Sequence, residues 1–167
     1  GKGLPDLYSR DAMERNDTTR IYAWVGPWDL MSNSSNLRLS AWSKMTLGWI
    51  TYESISPDPA SVMTVYMSPI EADSGPRAVV LLLHEQESYV VEVRRRIGYD
   101  SFQPSEGVLV YLADLSKESG YGVLKVKDKT PETQTLSDAV FVEGDLFEDD
   151  QSQVYILVSH DDGFGFT

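Results

Sequence analysis

The sequence predicts an α+β protein that is predominantly β: an irregular N-terminal segment and one helix at about residues 40–49, packed on an antiparallel sheet or sandwich. Three observations predict it. Seven short runs rich in Val, Leu and Tyr are spaced along residues 62–159, with turn-forming residues between most of them. Only one stretch repeats its apolar residues at helical spacing. Residues 1–38 are rich in Gly, Pro, Asn, Asp and Ser and show no sustained period, the pattern of loop and short turns.

In chain order, the helix comes first. Ser40 is placed to cap it, Ala41, Trp42, Met45 and Trp49 share its apolar stripe, and Gly48 stands near its end. The strands expected after it are Val62–Met67, Arg77–His84, Tyr89–Ile97, Gly107–Ala113, Gly122–Val126, Ala139–Glu143 and Gln153–Ser159. Breakers separate them at Pro57-Asp58-Pro59, Ser74-Gly75-Pro76, Gln103-Pro104-Ser105 and Asp161-Asp162-Gly163. Only the polar residues Glu85 to Ser88 lie between the second and third runs, which predicts a hairpin.

The 167 residues suffice for one buried core, and 41% hydrophobic with 24% charged residues is the balance of a folded domain. A formal charge of −12 repels phosphate backbones and anionic membranes, so no nucleic-acid partner is expected. The longest apolar run, Ala78 to Leu83, is too short for membrane insertion as a helix. Without cysteine there are no disulfides, thiolate metal sites or cysteine nucleophiles. The acid is unevenly spread, since residues 130–167 carry no Lys or Arg.

The two histidines, His84 and His160, each end an apolar run and have no clustered partner, so both read as strand-end residues rather than metal ligands. No Ser-His-Asp spacing and no Gly-rich phosphate loop is present. On an alternating strand Glu92, Arg94 and Arg96 share one face. A surface ion pair, between Glu92 and Arg94 or across strands, is expected rather than a substrate clamp, worth about 0–1 kcal/mol and with no functional role. Trp24, Trp28, Trp42 and Trp49 are expected in an aromatic core, with substrate contact by one of them the alternative. Glu143, Asp145, Glu148, Asp149 and Asp150 can offer hard oxygens to calcium, though not in an EF-hand pattern; the alternative is a solvated acidic face. Asn16-Asp17-Thr18 and Asn33-Ser34-Ser35 match the glycosylation triplet, making Asn16 and Asn33 candidate acceptors in a eukaryotic secretory pathway.

Several motifs occur in a defined order. Gly3-Leu4-Pro5-Asp6-Leu7-Tyr8 is followed by Trp28-Asp29-Leu30-Met31-Ser32 and then by Ser40-Ala41-Trp42-Ser43-Lys44-Met45-Thr46-Leu47-Gly48-Trp49. Further on come Tyr89-Val90-Val91-Glu92-Val93-Arg94, Gly98-Tyr99-Asp100, and Gly107-Val108-Leu109-Val110-Tyr111 with Asp114. The series resembles the zinc metallopeptidases of the immune inhibitor A type, over about residues 1–114. In that family an H-E-x-x-H helix runs directly into x-x-G-L-P-D-x-Y. A turn with Met and a helix reading S-A-W-S-K-M-x-L-G-W follow it.

The resemblance implies a secreted enzyme that hydrolyses peptide bonds in protein substrates. Residues 1–56 would be the C-terminal part of its catalytic domain, and residues 57–167 a β-rich domain that grows acidic toward its end. Asp6 would be a third zinc ligand placed by Gly3, and Met31 the residue of the turn beneath the metal, with Asp29 orienting or capping that turn. From the residues alone, Asp6 equally suits an Asx-turn after Pro5, and Met31 suits ordinary core packing. The chain departs from the family in having neither the zinc histidines nor the general-base Glu. Gly1 is therefore expected to follow them directly in a precursor, and this chain alone is expected to be inactive. Its partner would be the N-terminal part of the protease or another copy of itself. The alternative is a non-catalytic, extracellular β-rich module, calcium-dependent or self-assembling.

Overall fold

The computed structural model describes residues 3–33, 38–56, 58 and 61–167. Gly1, Ser34 and Ser35 of the second triplet, and Pro57 and Pro59 of the first breaker lie outside those residues.

Among the described residues two short α-helices and seven strands form in the order α1 (Arg10–Glu14), α2 (Ala41–Thr46), β1 (Glu53–Ile55), β2 (Ala78–His84), β3 (Glu87–Arg94), β4 (Gly107–Asp114), β5 (Leu124–Val126), β6 (Leu146–Asp149) and β7 (Val154–Leu157). The class read from the sequence, α+β and mostly β, is the one observed. Helix α2 starts where Ser40 predicts: the Ser43 N–H donates to the Ser40 hydroxyl oxygen. It stops three residues sooner than its apolar stripe suggests, because Gly48 turns the chain at φ +74°, a conformation other residues rarely adopt. Helix α1 was not anticipated. Ser9 caps it through the Ala12 N–H.

Strands β1 to β5 make one sheet in sequential order, antiparallel apart from the parallel β1–β2 pair. The predicted hairpin joins β2 to β3, with its turn narrowed to Glu85 and Gln86. β3 and β4 pair along their whole length, from Glu87 with Asp114 to Arg94 with Gly107. β6 and β7 form a separate two-stranded antiparallel sheet. Of the expected strands, Val62–Met67 forms only a bridge from Met67 to Phe166, and Ala139–Glu143 only a bridge from Phe141 to Val108.

Side chains on successive strand positions point to opposite faces, and the two faces of this sheet are covered differently. Val80, Val90, Leu109, Tyr111 and Leu124 pack beneath Leu7, Val25, Trp28, Ala41 and Ile50 of the N-terminal segment. Val79, Val91, Val93, Val108 and Val110 pack beneath Phe147, Val154, Val158 and Phe166. The result is three layers, with the five-stranded sheet in the middle. Described residues of the first 56 positions thus share a core with β2 to β5.

Candidate functional site

The face under the N-terminal segment carries the unusual chemistry. β3 sends both Glu92 and Arg94 to it, and both are 0% exposed. The Arg94 guanidinium is ion-paired with Glu92, and its Nε donates to Glu92 Oε1 at 2.6 Å. Its Nη1 donates to both Asp100 carboxylate oxygens, at 2.9 and 3.1 Å, and its Nη2 to the carbonyls of Trp28 (3.1 Å) and Leu39 (3.4 Å). The guanidinium also lies 5.8 Å from the centre of the Trp28 ring. Glu92 Oε2 accepts from the Ala41 N–H (2.5 Å) and the Tyr111 hydroxyl (2.8 Å), whose own oxygen accepts from the Trp42 N–H (3.0 Å).

This corrects the expectation of a surface ion pair. Alternation did place Glu92 and Arg94 together, but the N-terminal layer seals them from water. Burial pushes the Glu92 carboxyl upward, against the pull of Arg94, the Ala41 N–H and the Tyr111 hydroxyl. Burial alone would lower Arg94; the Glu92 and Asp100 charges outweigh it and hold the guanidinium above its ordinary range. Desolvation, then the Glu92 charge, raises the Tyr111 phenol. Removing one member of such a group strands the others without solvent, at a cost of about 3–5 kcal/mol.

Asp29, also 0% exposed, ties the same layer together. Its Oδ1 accepts from the Met31 N–H at 2.8 Å; its Oδ2 accepts from the Ser40 N–H at 2.8 Å and the Ser43 hydroxyl at 2.7 Å. One carboxylate therefore orients the Met31 turn and joins it to the start of α2. The Leu7 N–H donates to the Met31 carbonyl at 3.0 Å, which brings the Gly3–Asp6 segment to that turn. The Met31 side chain is half-buried and packs on the core.

Asp6 lies at the edge of this corner. Its carboxylate is ion-paired with Arg10, its N–H donates to the Ser119 hydroxyl at 2.8 Å, and its carbonyl accepts from the Gly120 N–H at 2.8 Å. Gly3 is exposed, with open space where a Cβ would stand. Among the described residues no three His, Cys, Asp or Glu side chains converge on a point that would hold a metal.

The acidic candidates are engaged separately. Glu143 accepts from the Asp161 N–H at 2.7 Å, Asp145 pairs with Lys129 at 2.6 Å, and Asp150 accepts from the Tyr155 hydroxyl at 2.8 Å. Asp149 accepts from the Tyr89 hydroxyl at 2.7 Å and from the Gln151 and Ser152 N–H groups. Those bonds hold its carboxyl at about 2. Glu148 is exposed on β6, opposite Tyr155. His84 ends β2 and His160 lies three residues past β7, not at its end as expected; both are exposed, and they pair with Glu87 (2.8 Å) and Glu143 (3.5 Å).

The tryptophans divide. Trp28 is fully buried and donates from Nε1 to the Leu136 carbonyl at 2.6 Å, Trp24 and Trp42 are half-buried, and Trp49 is 63% exposed beyond the end of α2. Trp49 therefore departs from the expected aromatic core. Asn16 is exposed at φ +56° just past α1, and Asn33 is half-buried. Sequence reading missed Asp100 and the burial of Arg94. The only available signal was an Arg and a Glu on one face of an otherwise apolar strand.

Comparison with known proteins adds no relative: no family model, no curated protein and no solved structure matches the chain.

Proposed function

We propose that these residues are the C-terminal part of a secreted zinc metallopeptidase similar to the immune inhibitor A type. What carries the proposal is one carboxylate. Asp29 binds the Met31 turn to the first residues of α2, while Leu7 bonds to Met31, so three successive motifs within the first 49 residues meet in a single corner. The Arg94 network anchors that corner to the central sheet through the Trp28 and Leu39 carbonyls.

The described residues do not make a zinc site. Asp6 is one candidate ligand where a catalytic zinc takes three, and its carboxylate is held by Arg10. No step of peptide hydrolysis is therefore derived from this chain, and the chain by itself is inactive in this reading. The histidines and the general base belong to a part of the protein outside these 167 residues, and that part is the first partner to look for.

The same pairing of Asp6 with Arg10 favours a second reading, a non-catalytic extracellular β-rich module built on the same layers. One experiment separates the two: zinc content and peptide cleavage measured together on the protein purified from its source. Stoichiometric zinc with cleavage that a chelator abolishes is expected. Neither zinc nor cleavage in the intact protein would leave the non-catalytic module.

A further inference from the structure

On the opposite side of the central sheet an apolar groove of about 590 Å³ runs between the two sheets. Ile55 of β1, Leu81 of β2, Val65, Ile156 and Phe166 are among the residues that line it, and Asp58 is the one charged residue on its lining among the described residues. Its volume falls in the range of ligand pockets, and its lining is mainly apolar.

Two features narrow what fits. Residues Val154 to Val158 border the groove without a gap. Because alternate residues of a strand point to opposite faces, an unbroken run places the groove along the edge of β7. Among the described residues β7 pairs only with β6, so its other edge, bordering the apolar space, is open. An open edge offers unpaired N–H and C=O groups to an added strand. Charge is the second feature. The chain from residue 130 onward holds nine acidic residues and no Lys or Arg, and Arg95, which reaches it from β3's end, is already paired with Asp161. Glu148 to Asp150 precede β7 and Asp161 and Asp162 follow it, so a second copy pairing along this strand would bring like charges together, whereas a basic segment would be attracted.

We propose that the groove takes an extended peptide strand from a partner, apolar at alternate positions and flanked by Lys or Arg, which pairs with the free edge of β7. The backbone supplies the hydrogen bonds, alternate side chains enter the apolar space, and the basic ends meet the acidic loops at either end of the hairpin. The inference is independent of the zinc-peptidase reading, since it uses the other face of the sheet.

The test is fluorescence anisotropy with a labelled peptide of alternating valine and threonine carrying lysines at both ends. Saturable binding that weakens with salt is expected, and a proline-interrupted or glutamate-ended version should bind about tenfold more weakly or worse. Leu157→Lys, at a position 57% exposed on the groove, should weaken binding by about tenfold. Leu82→Lys, 44% exposed and away from the groove, should not, and the circular dichroism of both variants should match the parent. Equal binding of the proline peptide, indifference to Leu157→Lys, or a homodimer that Leu157→Lys dissolves would each overturn the proposal.

Discussion

One strand, β3, serves two unlike faces. Val90, Glu92 and Arg94 look toward the N-terminal layer; Tyr89, Val91 and Val93 look toward the β6–β7 hairpin. On the first side an ion network with named partners fixes loops that have little regular structure of their own. On the second side contact is mainly apolar, with directional bonds such as Tyr89 to Asp149 and Arg95 to Asp161 beside the packed side chains, and an open groove remains. The difference teaches where position is specified. Hydrogen-bonded charges in a dry layer accept one arrangement at a high cost for any other, whereas apolar packing tolerates substitution of similar volume.

The largest effect should come from the centre of the first face. Arg94→Met leaves Glu92 buried without a counter-charge and Asp100 with only the more distant Arg38, at 3.9 Å, and urea denaturation should show a loss of about 4 kcal/mol. An effect below about 1 kcal/mol would mean that the layer does not exclude water and that the contrast fails. Asp29→Ala comes next. It removes the acceptor for Met31, Ser40 and Ser43 and should cost about 3 kcal/mol, with the near-ultraviolet signal of the tryptophans altered.

The hairpin face should be more forgiving. Phe147 stands edge-on to Tyr89 at 5.1 Å and to Phe141 at 5.9 Å. Phe147→Leu nevertheless keeps an apolar side chain there and should lose only about 1 kcal/mol. The smallest effect concerns pH. The Asp149 carboxyl, lowered to about 2 from 3.8 chiefly by the Tyr89 hydroxyl and then by Ser152, favours the folded state when ionised. That contribution is complete above about pH 4 and disappears as pH falls through about 2; after discounting for solvent it is about 1 kcal/mol. Tyr89→Phe should flatten this part of the stability profile, and an unchanged profile would remove Tyr89 as the cause.

The sequence makes the regular parts of this molecule legible and leaves its long-range pairings obscure. β2, β3, β4 and β7 are apolar runs bounded by turn residues, and each formed within a few positions of expectation. Ser40 and Gly48 mark the two ends of α2 by local chemistry. β6 was hidden because Phe147 is its one buried side chain, set among acidic neighbours that mask the alternation. Val62–Met67 has a strand's composition but lies along the groove, with Val62 97% exposed, and pairs only at Met67. Ser9, three residues before Ala12, was a readable start signal for α1 that the surrounding turn residues concealed. At the site, the alignment of Glu92 with Arg94 and the orienting role open to Asp29 could be read locally. The burial of Arg94 could not, because it depends on Trp28, Leu39 and Asp100 arriving from elsewhere in the chain.

The central claim is that the Arg94 and Asp29 network holds the Asp6–Met31 corner as a fixed unit while the opposite groove stays open. Amide hydrogen exchange on the chain tests it directly. The account predicts that the Leu7, Met31, Ser40 and Ala41 amides exchange at the slow rate of global unfolding. It also predicts that the amides of residues 62–66 exchange faster by orders of magnitude. Fast exchange at Met31 and Ala41, level with residues 62–66, would contradict it.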